Sequence, residues 1–400
     1  MNILVLNCGS SSVKYKLFNM ESKKVLAQGG VEKIGLKGSF LKLTLPNGGK
    51  VILEGEILEH NMAIEYILGV LMSQKYGCVK SLSEIDAVGH RVVHGGEKFN
   101  ASVKIDDEVI ANMEECIDMA PLHNPPNLKG INAVKELMSD IPQVAVFDTA
   151  FHQTMPPHAY LYGIPYSLYE KYSIRRYGFH GTSHRYVSNR TCVILGIQPT
   201  NHKMITCHIG NGASVAAIKN GISVDTSMGF TPVEGLMMGT RSGDVDAGII
   251  TFLLEKEMIG AAGISNMLNK QGGVLGVSGV SSDMRELVAA MEQGNERAKL
   301  AFEMYNYRIK KYIGAYSAAL EGINTLVFTG GVGENQANVR ESVCKGLEYM
   351  GIEIDDLKNN QTRGEEAIIS TPDSKVTVMV VPTDEEFMIA TDTLHILGSN

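Results

Sequence analysis

The sequence predicts an α/β protein with more than one sheet, and three observations lead there. Apolar runs of strand length end in glycine-rich turns, long segments carry the apolar spacing of core-facing helices, and strands and helices are mixed over the whole length. At 400 residues, and about one domain per 150, the chain is long enough for two or three domains rather than a single core.

Taken in chain order, Ile3, Leu4, Val5 and Leu6 form a continuous apolar run, as expected of a strand buried on both faces. After the turn at Gly9, Ser10, Ser11 and Ser12, the apolar Val13, Tyr15 and Leu17 alternate with Lys14 and Lys16. That is the two-residue period of a half-buried strand. The opening is therefore a hairpin rather than a strand running into a helix. A phosphate-binding loop of the G-x-x-x-x-G-K-[ST] type is absent from the sequence. Helical spacing follows at Ile64, Ile67, Leu68 and Leu71.

A second strand, turn, strand, turn, strand pattern runs from Met204 to Val224. Writing NCGSSSV above HIGNGASV pairs Asn7 with His208, Gly9 with Gly210 and Ser11 with Gly212, which hints at a duplicated domain. One such pairing could also arise by chance, because turns draw on few residue types. A longer helix is expected through Ala298, Phe302, Tyr305, Ile309, Tyr312, Tyr316 and Leu320, with Gly322 as its C-cap. Thr325 to Thr329 then reads as a buried strand opening into a glycine-rich turn at residues 330–335, with a helix beyond.

Composition narrows the function classes. Hydrophobic residues make up 44% and charged residues 20%, an ordinary soluble globular balance. Lys plus Arg number 36 against 44 Asp plus Glu, for a net charge of −8 and no long basic run, which argues against a nucleic-acid partner. An anionic substrate would be held by local arginines and backbone N–H groups, since the overall field mildly repels it. The six cysteines form no C-x-x-C pair, so reduced thiols in a cytoplasmic protein are the simplest reading. No segment has the roughly 20 apolar residues of a membrane helix, and the first residues read as a strand rather than a signal peptide.

Three glycine-rich turns after strands, at Gly9, Gly210 and Gly330, could close backbone N–H groups around a polyphosphate. Each alone is equally a tight turn. Asn7, Ser10, Ser12 and Lys14 add amide, hydroxyl and ammonium groups suited to phosphate and its metal, or to solvated turn chemistry.

At this point LVLNCGSSSVKY resembles the first signature of the acetate kinase family. GHRVVHGG around Arg91, PLHNPPN around His123, VFDTAFHQTMP around Asp148, RRYGFHGTSH around His180, HIGNGAS at His208, MGTRSGDVD around Arg241, GGVGEN at Gly330 and PTDEE at Pro382 continue the resemblance in order over essentially the whole chain. The resemblance implies two duplicated ribonuclease H-like, actin-like ATPase domains flanking an active-site cleft. The expected spans are residues 1–150 for the N-terminal domain, with residues 385–400 packing back on it, and 151–384 for the nucleotide-binding domain. It also implies reversible transfer of phosphoryl from ATP to acetate, giving ADP and acetyl phosphate, in a cytoplasmic homodimer with no membrane or nucleic-acid partner.

By the same resemblance Asp148, His180 and Arg241 are catalytic, and Arg91, Val93, Leu122, His123, Phe179 and Pro232 bind the carboxylate substrate. Ser10, Ser12, Lys14, His208, Ile209, Gly210, Asn211, Gly212, Asp283, Met284, Arg285, Gly331, Val332, Gly333, Glu334 and Asn335 bind ATP. Asn7 and Glu385 hold Mg2+, for which Mn2+ is able to substitute. The family motif usually has Asn where Asp384 stands, a departure beside the metal site. Two other readings share the fold: a propionate or butyrate kinase, differing only in pocket volume, and a non-enzymatic ATP switch, which has no use for a carboxylate clamp.

Overall fold

In the strand Asn2–Cys8 (β1), Ile3 and Val5 point to one face and Leu4, Leu6 and Cys8 to the other, and all five are buried. A strand with both faces buried needs helices on both sides of its sheet. The computed structural model describes residues 1–398 and divides into two units. One comprises Met1–Phe151 together with the chain from Asp384 onward; the other is His152–Thr383.

The first unit holds β1, Ser12–Asn19 (β2), Lys24–Glu32 (β3), Phe40–Thr44 (β4), Lys50–Glu54 (β5), Ala87–Val92 (β6), Val103–Lys104 (β7) and Gln143–Phe147 (β8). Their order across the sheet is β5-β4-β3-β2-β1-β6-β8-β7. The hairpin strands β1 to β5 pair antiparallel with their neighbours, while β1, β6 and β8 run parallel. On one face Leu4 and Leu6 pack with Ile64, Ile67 and Leu71 of the helix His60–Leu71 and with Val134 of the helix Asn124–Leu137. On the other face Ile3, Val5, Val144 and Val146 meet Ile389 and Ala390 of the helix Glu385–Gly398. That last contact is close because residue 89 is glycine. A Cβ on Gly89 would lie 2.5 Å from Thr393 Oγ1 and 2.8 Å from Ile389 Cγ2, so a larger side chain would lift the helix off β6.

The second unit holds Lys203–Ile209 (β9), Ala213–Lys219 (β10), Ile222–Thr226 (β11), Thr325–Thr329 (β12), Ala367–Ile368 (β13) and Thr377–Val380 (β14), ordered β11-β10-β9-β12-β14-β13. Strands β9, β12 and β14 run parallel, with an antiparallel hairpin on one side and a short antiparallel strand on the other. This repeats β3-β2-β1-β6-β8-β7 strand for strand, with β4 and β5 as an addition to the first sheet. The duplication hinted at by two similar turns is thus a duplication of topology.

Two local expectations differ from what forms. The long helix, Glu296–Ala319, is capped by Leu320; Gly322 is a second positive-φ residue after Glu321, in the exit turn rather than at the cap. The segment Gly330–Asn335 is itself one helical turn, followed by the helix Ala337–Cys344. Gly330 makes the switch with φ of +77°, and a Cβ there would sit 2.8 Å from the carbonyl oxygen of Ile209.

Candidate active site

In each unit the predicted residues gather where parallel strands end, the place where sheets of this type leave backbone groups free for ligands. In the first unit, Asn7 stands near the end of β1, Arg91 near the end of β6, Asp148 just after β8, and Glu385 opens the helix Glu385–Gly398. Arg91 forks onto Asp148, with Nη2 to Oδ2 at 2.6 Å and Nε to Oδ1 at 3.2 Å. Asp148 is only 1% exposed, so this is a largely desolvated ion pair. Burial works against the charge on Arg91, but Asp148 and Glu385 outweigh it and keep the guanidinium protonated. Glu385 lies 3.8 Å from Arg91 Nε, a looser contact. Burial pushes its carboxyl up to about 7; Arg91 opposes this, and the negative charges of Asp148 and Glu386 add to it.

The PLHNPPN segment fixes these strand ends from the side. Asn127 Oδ1 accepts from the Val93 N–H at 3.1 Å while its Nδ2 donates to the Cys8 carbonyl at 2.7 Å. Asn124 accepts from the His94 N–H and donates to the His94 carbonyl. Nothing in local sequence periodicity marks these two asparagines; only their burial in a helix start does. His123 immediately precedes that helix, half-buried. Val93 is half-buried as well, whereas Leu122 is 62% exposed. Ser10 and Lys14 are exposed and Ser12 half-buried around the first turn. Asp384 uses Oδ1 to accept from the Phe387 N–H at 3.1 Å and lies 3.4 Å from Lys16 Nζ. It serves as a helix cap, a job Asn and Asp do about equally well, so the Asn-to-Asp departure leaves the local shape intact.

In the second unit, His180 precedes the helix Gly181–Leu195 with φ of 56° and ψ of 22°, a left-handed conformation that costs a non-glycine residue energy and turns up at functional positions. Its ring stacks on that of His208, centroids 4.2 Å apart. Arg241 is in reach of the same spot: a Cβ on Gly212 would lie 3.4 Å from Arg241 Nη1 and 3.5 Å from His180 Nε2. The glycine keeps that space open. Arg241 makes only weak contacts, to the Pro232 carbonyl at 3.5 Å and Met238 Sδ at 3.9 Å. It forms no ion pair among the described residues, and burial alone lowers its affinity for its proton. A half-buried guanidinium without a carboxylate is a site for an anion. Phe179 is 3% exposed, and its carbonyl accepts from His152 Nε2 at 3.1 Å.

A cavity of about 440 Å3 opens in this unit. Gly210, Asn211, Asp283, Met284, Arg285, Gly331, Val332 and Asn335 line it, so eight of the residues expected around ATP share one wall. His208, Ile209, Gly212, Gly333 and Glu334 are not on that wall. Glu334 instead turns back to accept from the Gly330 N–H at 2.9 Å and the Thr383 N–H at 3.1 Å, tying the glycine-rich turn to the end of the unit. Tyr305 and Gln336 also line the cavity. Tyr305 is spaced as a core residue of its helix, which hid its position at a cavity wall. Asp283 caps the helix Met284–Glu292 and forks onto Arg285, with its carboxyl held down to about 2 by that hydrogen bonding.

The comparisons with known proteins cover nearly the whole chain. The family model described as the acetokinase family matches residues 2–391. An acetate kinase of Azobacteroides pseudotrichonymphae is 72% identical over 398 residues, spanning all of both chains. The crystal structure of Porphyromonas gingivalis acetate kinase superposes with a TM-score of 0.96 at 65% identity, covering 99% of each chain. That of a propionate kinase from Francisella tularensis gives 0.92 at 42% identity, also over 99% of each.

Proposed function

The chain belongs to the acetokinase family, and on that premise we propose how its residues carry out the family's reaction. The activity is that of an acetate kinase, a phosphotransferase with a carboxyl group as acceptor: ATP and acetate are exchanged reversibly for ADP and acetyl phosphate. Within that assignment, the observation that carries our residue-level reading is Arg241, a half-buried cation with no carboxylate partner beside the Nε2 of His180. A phosphoryl group in flight needs such donors on its equatorial oxygens.

Acetate needs no base. Its carboxyl titrates near that of a glutamate side chain, about 4.3, so it is already ionised at neutral pH and can attack phosphorus directly. Asp148 then has no proton to take from the substrate, and its bond to Arg91 supports the role of orienting that guanidinium toward the acetate. Arg241 and His180 stabilise the charge on the transferring phosphoryl, and no phosphorylated form of the protein is required. The cavity lined by Gly210, Asp283 and Gly331 takes the nucleoside end of ATP, and the half-buried Val93, just after β6, faces the methyl of acetate.

For magnesium, the fit rests on the chemistry of the donors. Magnesium keeps most of its waters and asks for one or two carboxylates plus phosphate oxygens. Glu385, its carboxyl pushed up to about 7 by burial beside Asp148 and Glu386, is a place a dication would relieve. Asn7 and Glu385 would hold the ion, which supplies charge neutralisation on the phosphates; Mn2+ would fit the same oxygen donors.

A homodimer is supported by the helix Ala247–Lys256, which buries none of its residues although its sequence, AGIITFLLEK, is mostly apolar. Phe252 is 57% exposed and Met258, just beyond, 89%. A second copy of the chain is the occupant we propose for this face. No helix among the described residues is long and apolar enough to cross a membrane, and none of the six cysteines is paired, in keeping with a cytoplasmic enzyme.

The test is steady-state kinetics with acetate, propionate and butyrate under one ATP and magnesium condition. We expect acyl phosphate formation with acetate favoured, propionate slower and butyrate slowest. Equal efficiency with all three, or label from ATP appearing on the protein, would overturn the reading.

A further inference from the structure

Behind the His180 ring runs a chain of buried side chains. His180 Nδ1 lies 3.0 Å from Ser214 Oγ, Ser214 Oγ lies 2.8 Å from His184 Nε2, and His184 Nδ1 lies 2.7 Å from Thr206 Oγ1. Ser214, His184 and Thr206 are each 0% exposed. The direction of every hydrogen bond in this chain follows from its far end.

Thr206 Oγ1 has one partner among the described residues, His184 Nδ1. A buried hydroxyl must place its proton on an acceptor, so Thr206 donates and His184 Nδ1 accepts. The His184 ring is then protonated on Nε2, and it donates to Ser214 Oγ. Ser214 has two partners, and one of them is already giving it a proton, so its own hydroxyl proton goes to His180 Nδ1. His180 Nδ1 is thereby an acceptor, and the ring proton of neutral His180 is on Nε2, the atom beside Gly212 and Arg241. A protonated His184 would reverse the chain. Burial, with His152 and His208 nearby, holds that ring well below the usual histidine range and keeps it neutral.

We propose that Thr206, His184 and Ser214 are positioning residues that fix His180 in its Nε2–H tautomer, so that an N–H rather than a lone pair is presented to the phosphoryl oxygen. A lone pair there would repel the same oxygen that an N–H stabilises, so the tautomer decides whether His180 helps or hinders. The proposal rests on the reading of His180 as a transition-state donor. Its measurement, however, separates the two. Ser183 supplies a similar contact to the neighbouring stacked ring: its Oγ lies 2.8 Å from His208 Nδ1 and 2.8 Å from Thr383 Oγ1.

The experiment uses the full chain labelled with 15N-histidine, with His180 assigned by comparison with His180→Gln. Long-range proton–nitrogen correlations report which ring nitrogen bears the proton. In the unaltered protein near pH 7.5 the Nε2–H form is expected. Ser214→Ala and, independently, the isosteric Thr206→Val remove links of the chain, and a large share of the Nδ1–H form should appear. Alongside it kcat should fall about 10- to 100-fold while the Michaelis constants for ATP and acetate change less than about 2-fold. Ser214→Thr keeps the hydroxyl and should restore the Nε2–H form. An unchanged tautomer in both chain-breaking variants overturns the proposal whatever the activity does. A shifted tautomer with full activity upholds the positioning and overturns instead the role given to His180.

Discussion

The guanidinium of Arg91 is committed to Asp148, at 2.6 Å, whereas Arg241 has no carboxylate within ion-pair distance among the described residues. The arginine expected to bind the carboxylate and the one expected to be catalytic therefore stand in opposite electrostatic conditions, and their removal should read differently. Arg91→Ala strips the buried Asp148 carboxylate of its guanidinium. Breaking a buried pair costs about 3–5 kcal/mol, and the 22% exposure of Arg91 puts the expected loss nearer about 2 kcal/mol. Arg241→Ala removes a cation that burial already disfavours, so stability should hold within about 1 kcal/mol while activity drops about 100- to 1,000-fold. Urea unfolding midpoints set beside kcat/KM check both halves, and equal stability losses would refute the distinction.

Magnesium dependence should separate from acetate dependence. Asn7→Ala or Glu385→Ala is expected to raise the magnesium concentration for half-maximal rate about 10-fold, with the acetate Michaelis constant changing far less. A magnesium titration at fixed ATP decides this; superimposable curves would remove both residues from the metal site.

Acid should unfold the protein through histidines that are buried uncharged. Burial lowers His90, hydrogen-bonded to Gln143, and His152 from the ordinary 6.5 to about 4. Between pH 6.5 and 4 the unfolded chain binds more protons than the folded one, so stability is fully present above 6.5 and is lost as pH falls toward 4. At about 1.4 kcal/mol per pH unit each ring would forfeit about 3 kcal/mol by pH 4. Denaturant titrations across that range should show the slope, and His90→Gln should flatten it.

Substrate size should respond to Val93 and not to Leu122. Val93 is half-buried at the end of β6, while Leu122 is 62% exposed. One methylene in an apolar pocket is worth about 1–3 kcal/mol, so discrimination against propionate should be moderate. Val93→Ala is expected to raise the propionate-to-acetate ratio of kcat/KM several-fold, leaving the ATP constant unchanged, and Leu122→Ala to leave the ratio as it is. A fixed ratio in Val93→Ala would take that residue out of the methyl pocket.

What could be read before the structure was whatever rests on local periodicity. Val13, Tyr15 and Leu17 face inward on β2 because alternation is imposed by the strand itself. The strand-turn-strand pattern from Met204 to Val224 resolved correctly into β9, β10 and β11 for the same reason. Illegible were the partnerships between distant positions. Nothing near Arg91 announces a bond to a residue 57 positions away, nor does Ser214 advertise its place between two histidines. Arg340 is the extreme case. It has the composition of a surface residue, yet it is 0% exposed, and its guanidinium donates to the carbonyls of Gly333, Asn359 and Thr362 and to Asn359 Oδ1. A buried cation satisfied mostly by backbone oxygens leaves no acidic partner for sequence to reveal.

The seating of Ile389 and Thr393 against Gly89 also sets a timetable for synthesis. A chain emerges from the ribosome N-terminus first, so β1, β6 and β8 are made well before the helix that covers Ile3, Val5 and Val146. The whole of His152–Thr383 is translated in between. Until that helix is made the growing polypeptide therefore carries an uncovered apolar sheet face, the kind of surface a hydrophobic-binding chaperone recognises, and lacks Glu385, the residue proposed to hold the metal. A stop codon at Asp384 should freeze it in that condition, yielding a sticky, inactive product rather than a shortened enzyme.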